Sequence, residues 1–141
     1  MTCGLCRADL GPVLRESEHW RLVLNRNQNL LGKSLLALRR HCESVTELTD
    51  DEWAALRREL AAASRLLTAA LAPDHFNYAF LQNVDRHVHL HLIPRYASPR
   101  EFGGRVFVDE DVPGPQPMRG WATTSLVLDP EELAALARSL A

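Results

Sequence analysis

The run HVHLHLIPR, from His87 to Arg95, alternates histidine with a hydrophobic residue three times before it reaches a proline. Successive side chains of a strand point to opposite faces. This period of two therefore predicts a strand with His87, His89 and His91 on one face, about 6.5 Å apart, and Val88, Leu90 and Leu92 turned into a core. Imidazole is a poor filler for a sheet face, where β-branched and aromatic side chains are the usual occupants, so three in strict alternation mark a face with a job. Two jobs fit. Neighbouring strand histidines can converge on a metal, or they can do nucleophilic and electrostatic work on an anionic substrate.

The rest of the chain predicts what surrounds that strand. The short apolar runs His19 to Asn25 and Ser34 to Arg40 read as strands, and so does Phe76 to Asn83, joined to the histidine strand by a tight connection around Val84 to Arg86. Thr49 stands three residues before Glu52, the capping-box spacing, at the head of a segment rich in Ala, Leu and Arg. A long helix starts there. Trp53, Leu56, Leu60, Ala63, Leu67 and Leu71 form its expected core stripe, and Pro73 marks its stop. From Ser98 to Met118 the chain is rich in Pro and Gly and reads as loop with a strand at Arg105 to Val108. A last helix follows Asp129, with Pro130 at its first position. Several strands with one long intervening helix, and no regular βαβ alternation, predict an α+β domain on an antiparallel sheet.

Length and charge narrow the class further. A chain of 141 residues fits one domain with a real core, and 46% hydrophobic with 24% charged residues and a formal net charge of −2 is the composition of an ordinary soluble globular protein. Nothing in that balance suggests a nucleic-acid partner. No apolar run approaches the ~20 residues that span a bilayer, and the start MTCGLCRADLG lacks the basic and apolar regions of a signal peptide, so a cytoplasmic protein without a membrane partner is expected. In that compartment three cysteines read as metal ligands, redox groups or buried thiols rather than as a disulfide framework. Cys3 and Cys6 form a single C-x-x-C. A thioredoxin-like role would need a strand before the pair and a helix after it, and neither is predicted.

HVHLHLIPR resembles the signature of the histidine triad (HIT) superfamily of nucleotide hydrolases and transferases. NRNQNLLGKSLLALRRH, from Asn25 to His41, is similar to that family's upstream segment, in which a glycine opens a hydrophobic strand ending in basic residues and a histidine. The similarity runs in matching order from about Cys3 to Tyr96. It implies a HIT-like fold, an antiparallel sheet with one long helix and a C-terminal helix, with residues 1–97 as the HIT domain core and 98–141 as a C-terminal loop and helix packed on the same domain. It also implies that His89 is a nucleophile transiently nucleotidylated at the α-phosphate, and that His91 binds and neutralises the phosphate oxygens. The resemblance puts Asn25 at a ribose-binding position, usually Asp, Gln82 and Asn83 where an amide meets phosphate, and Lys33 beside Gly32 where the family often has Gly-His. Only Val84, Asp85 and Arg86 separate Asn83 from the triad, where many members carry a glycine-rich loop with Gln or Ser. Arg86 and Arg95 flank the histidines as further positive charge.

A lone C-x-x-C needs two more ligands to close a tetrahedral zinc. The zinc-binding branch of the superfamily completes its cysteine pair with the histidine after the second-strand basic pair and with the first histidine of the triad. By that resemblance Cys3, Cys6, His41 and His87 hold a structural zinc. Cys42, next to His41, points to the other face of any extended segment and reads as a buried or semi-buried thiol. The expected function is that of a nucleotidyl hydrolase or transferase acting on a dinucleoside polyphosphate, a nucleoside phosphoramidate or a nucleotide sugar, and the family implies a homodimer. Two alternatives stand beside it: a nucleotide-binding module with little turnover, and a metallohydrolase with zinc on the three strand histidines.

Overall fold

The computed structural model describes residues 3–6, 10–82, 84–110 and 125–140. Five antiparallel strands form the main sheet: β1 (Val13–Glu16), β2 (Trp20–Leu24), β3 (Ser34–Leu38), β4 (His75–Ala79) and β5 (His89–Arg95), in the order β1-β2-β3-β5-β4. The histidine strand is thus interior, with Ala37 opposite His89 and Leu35 opposite His91 on one side, and Ala79 opposite His91 on the other. A two-stranded hairpin, β6 (Arg100–Phe102) and β7 (Arg105–Phe107), follows. Its turn is Gly103-Gly104 with φ of 59° and 80°, the positive values that a two-residue hairpin turn of right-handed twist requires.

The long helix α1 (Asp50–Leu71) starts on a complete capping box. Thr49 accepts from the Glu52 N–H at 3.1 Å, and the Glu52 carboxylate accepts from the Thr49 N–H at 2.9 Å. Ala72 leaves the helix in the left-handed region, with φ 46°, directly before Pro73. The last helix, α2 (Pro130–Leu140), repeats the device: Asp129 Oδ1 accepts from the Glu132 N–H at 2.8 Å. Both helices serve one core. Ala55, Leu56, Ala63 and Leu67 of α1 and Leu133, Leu136 and Leu140 of α2 pack with Leu22, Leu24, Leu36, Leu38, Leu90 and Leu92 of the sheet. The strand period of two thus separates a leucine-rich face under the helices from the face that carries His89 and His91.

The helix stripe differs from the expected one at its head. Trp53 is 43% exposed and packs edge-on against Phe80 with ring centroids 6.4 Å apart, while Glu52 and Glu59 occupy the buried line. Each carboxylate is paired. Glu52 accepts from Arg40 at 2.6 and 3.0 Å, and Glu59 from Arg15 at 2.6 Å. The Arg40 hydrogen bond holds the Glu52 carboxyl down to about 2 against the cost of its burial.

Several strand boundaries also differ. β3 ends at Leu38 and not Arg40, and β4 ends at Ala79, four residues short of the expected Asn83. Asn83 lies outside the described residues. β5 begins at His89, not His87, and the link from β4 is no tight turn. The cause is local. The Val88 N–H donates to the Cys42 carbonyl at 2.7 Å, and Gln82, at φ 54°, donates its amide to the Glu43 carbonyl at 2.6 Å. The chain therefore detours around residues 42–43 before entering β5.

Beyond residue 97 the described segments are fastened to the sheet. Arg95 forms a two-pronged pair with Asp109, Nε to Oδ2 at 2.7 Å and an η nitrogen to Oδ1 at 2.8 Å, and both side chains are buried. Removing one partner of such a pair typically costs about 3–5 kcal/mol, because the other charge is left stranded. Tyr96 adds a hydroxyl donated to the Leu31 carbonyl at 2.6 Å. The expected loop over 98–118 contains the β6–β7 hairpin, and its part beyond residue 110 lies outside the described residues. No described helix is long and apolar enough to cross a membrane.

Candidate active site and metal centre

The interior position of β5 decides how its histidines are held. His87 precedes the strand and is fully buried; its Nε2 lies 2.6 Å from the Leu38 carbonyl. A carbonyl only accepts, so Nε2 carries the proton and Nδ1 offers its lone pair. His89 is fixed by the same rule. Its Nδ1 lies 2.7 Å from the carbonyl of His87, so Nδ1–H donates and the Nε2 lone pair is free to attack. The His89 and His91 rings meet edge to face at 4.9 Å. Burial, the neighbouring His89 and the Lys33 ammonium together pull the His91 pKa down to about 4, so His91 is neutral at pH 7. Positive charge beside it comes from Lys33, buried and lowered to about 8 by that burial, with its Nζ 2.5 Å from Asn29 Oδ1.

The β2–β3 connection, residues 25–33, carries Asn25 and Lys33 and is organised by a residue that sequence reasoning passed over. The fully buried Gln28 donates to the carbonyls of Asn25 at 2.6 Å and Lys33 at 2.9 Å, and accepts from the Gly32 N–H at 2.7 Å. One amide thus satisfies three backbone groups and closes the loop. Gly32 sits at φ 86°, which strains any residue with a side chain, and a Cβ there would also press on Leu71 Cδ1 at 2.6 Å. The Asn25 carboxamide oxygen accepts from the Asn27 N–H at 2.9 Å, turning the chain out of β2. A pocket of about 290 Å3 lies at this end of the sheet, lined by Gly4, Leu10, Val23, Asn25, Arg26 and Leu35 among others, which is near the low end for a small-molecule site. Leu35 pairs with His91 across the β3–β5 ladder, so pocket and histidines share one face of the sheet.

Cys3, Cys6, His41 and His87 converge on one point, with their candidate ligand atoms all within 4.8 Å of one another. His87 Nδ1 lies 3.3 Å from Cys3 Sγ, 3.4 Å from Cys6 Sγ and 3.3 Å from His41 Nδ1, and Cys6 Sγ is 3.4 Å from His41 Nδ1. Zinc bonds of about 2.3 Å to sulfur and about 2.0 Å to nitrogen, spread tetrahedrally, separate two nitrogens by about 3.3 Å and a nitrogen from a sulfur by about 3.5 Å. The donor set fits a closed tetrahedral zinc. Outer partners are in place as well, the Leu38 carbonyl on His87 Nε2 and the Glu43 carboxylate 3.5 Å from His41 Nε2. His89 and His91 do not belong to this group, which is the only such cluster among the described residues.

Other expected site residues are placed differently. Gln82 commits its amide nitrogen to the loop that carries His41, and Arg86 is exposed. Arg95 is neutralised by Asp109 and adds no open positive charge to the site. Cys42 is buried outside the cluster, its thiol 3.3 Å from the Ser44 carbonyl.

No protein-family profile matches the sequence, and no curated protein sequence does. Solved structures do. A histidine triad protein from Bradyrhizobium japonicum superposes with a TM-score of 0.70 at 21% identity, covering 94% of this chain and 89% of that one. The chain has the HIT-like fold. A HIT family protein from Bacillus anthracis matches at 25% identity with a TM-score of 0.62, over 67% of this chain and 73% of its own. A hypothetical histidine triad nucleotide-binding protein from Sulfolobus tokodaii matches with a TM-score of 0.70 at 20% identity, over 98% and 89% of the two chains. Within the HIT-like fold the Cys/His cluster lies at the start of β5, and the pocket beside Asn25, lined from β2, β3 and the N-terminal turn, shares the sheet face of His89 and His91.

Proposed function

We propose that this protein is a histidine triad hydrolase or transferase that cleaves a nucleoside phosphate derivative at its α-phosphate, with a structural zinc on Cys3, Cys6, His41 and His87. The observation that carries the reading is the His89 Nδ1 contact to the His87 carbonyl, which leaves Nε2 as the nucleophile. In the first step Nε2 bonds to the α-phosphorus. The bond from phosphorus to the leaving group breaks, and the leaving group keeps the electron pair and takes up a proton from solvent. Water or an acceptor alcohol then attacks phosphorus, releases the nucleotide, gives its proton to solvent and restores His89. A neutral His91 donates one N–H to a phosphate oxygen, and Lys33 supplies the charge that offsets the phosphate anion. Cys3, Cys6, His41 and His87 would hold the zinc in a structural role, anchoring the start of β5, since His87 would give its side chain to the metal while its carbonyl holds the nucleophile.

Incubating the protein with labelled dinucleoside polyphosphates and with adenosine phosphoramidate tests the reading. A nucleoside monophosphate product and a nucleotidyl adduct visible by intact mass are expected, and binding without product or adduct would leave only a nucleotide-binding module. Asn25 is read as the ribose contact and Asn83 as the phosphate-side amide, since the Gln82 amide is held by the Glu43 carbonyl. Asn25→Ala should weaken ribonucleotide binding by on the order of 1 kcal/mol and deoxynucleotide binding much less; equal losses in paired titrations would remove the ribose role.

A homodimer is supported by an apolar patch along the edge strand β4 and the neighbouring face of α1. Trp53, Tyr78 and Leu81 are 43%, 50% and 38% exposed there. Sedimentation equilibrium should give a dimer for the parent protein and a monomer for a Trp53→Glu, Tyr78→Glu variant, and a monomeric parent would sink the idea.

A further inference from the structure

The Cys3–Cys6 turn touches more than the metal centre. Its Gly4 N–H donates to Asp85 Oδ1 at 3.2 Å, and Asp85 stands two residues before His87. A Cβ on Gly4 would lie 3.0 Å from that carboxylate oxygen, so the approach is close. Leu5 is buried at 5% exposure, which anchors the turn in the protein. Gly4 also lines the pocket with Val23, Asn25 and Leu35, the last paired with His91. One short turn thus carries two thiols at the Cys/His cluster, a hydrogen bond to the loop that leads into the catalytic strand, and a wall of the pocket.

We propose that metal binding at Cys3, Cys6, His41 and His87 sets the affinity for nucleotide, with Gly4 as a wall of the nucleoside pocket and Asp85 as the positioning residue that holds this wall to the triad strand. The inference rests on the nucleotide reading above. With the metal bound, two sulfur ligands fix the turn from one side and Asp85 from the other. Without it, the Asp85 hydrogen bond, the Leu5 contact and weak thiol–imidazole contacts replace the two metal–sulfur bonds, and a nucleotide entering the pocket must supply more of the ordering of the wall. Metal and nucleotide then share one ordering cost, and each must tighten the other by the same factor.

Isothermal titration of the zinc-loaded full chain with the four nucleoside monophosphates, repeated after chelation with circular dichroism to follow the fold, reads this directly. The dissociation constant of the best-bound nucleotide should rise about tenfold on chelation, and that nucleotide at saturation should tighten zinc retention against a competing chelator by the same factor. Asp85→Ala leaves all four metal ligands in place; it should keep one zinc per chain and weaken nucleotide binding by about three- to tenfold. If chelation unfolds the chain, the chelator competition and the Asp85 variant decide, since both use folded, zinc-loaded protein. Zinc retention indifferent to nucleotide, or unchanged nucleotide affinity in Asp85→Ala, would overturn the coupling and leave the nucleotide reading standing. Failure of all four nucleotides to bind zinc-loaded protein would overturn both.

Discussion

His89→Ala should lower turnover by at least about 10⁴-fold, because covalent catalysis has no second nucleophile to fall back on. Nucleotide binding and melting temperature should change little. The His89 ring donates its Nδ1–H to the His87 carbonyl two residues back, and the strand is held independently by its ladders to β3 and β4. Intact-mass analysis of the variant incubated with substrate should show no nucleotidyl adduct. The result that would remove the nucleophile assignment is turnover within a few-fold of the parent. His91→Ala provides the contrast: its loss should be smaller and should leave the adduct detectable, because in the proposed mechanism His91 donates to phosphate and forms no bond to phosphorus.

What the sequence disclosed follows from which interactions are local. The Thr49–Glu52 box closes within one helical turn, and the histidine alternation writes the strand period directly into the chain, so both were legible. β1 was not. It is a four-residue edge strand whose pairing shifts register between Val13 and Arg15, and mostly exposed side chains give it no alternation to read. Trp53 and Glu52 exchanged their expected places because the partner that makes a buried carboxylate tolerable, Arg40, comes from another segment of the chain. Gln28 stayed hidden for a related reason, since its three backbone partners reveal themselves only once the loop is closed. For the Cys/His cluster, spacing and resemblance named the four residues. Folding added the orientation: His87 turns its ring toward the cluster and its carbonyl toward His89.

That double engagement of His87 sets the expected outcome of removing the metal centre. Purified protein should carry one zinc per chain with two sulfur and two nitrogen ligands by X-ray absorption. Cys6→Ser should lower metal content and melting temperature together. Structural zinc in small peptides is worth about 10–16 kcal/mol, but those peptides have no other core. This chain has one, built from the leucines of the sheet and both helices, so metal loss should destabilise it without unfolding it. Turnover should fall less than in His89→Ala, because the metal acts on the nucleophile only through the backbone of His87. A Cys3→Ser, Cys6→Ser variant that kept full zinc occupancy would require other ligands, and the strand histidines are the candidates. His89 would then give its Nε2 lone pair to the metal while its Nδ1–H stays on the His87 carbonyl, and the metallohydrolase reading would replace the covalent one.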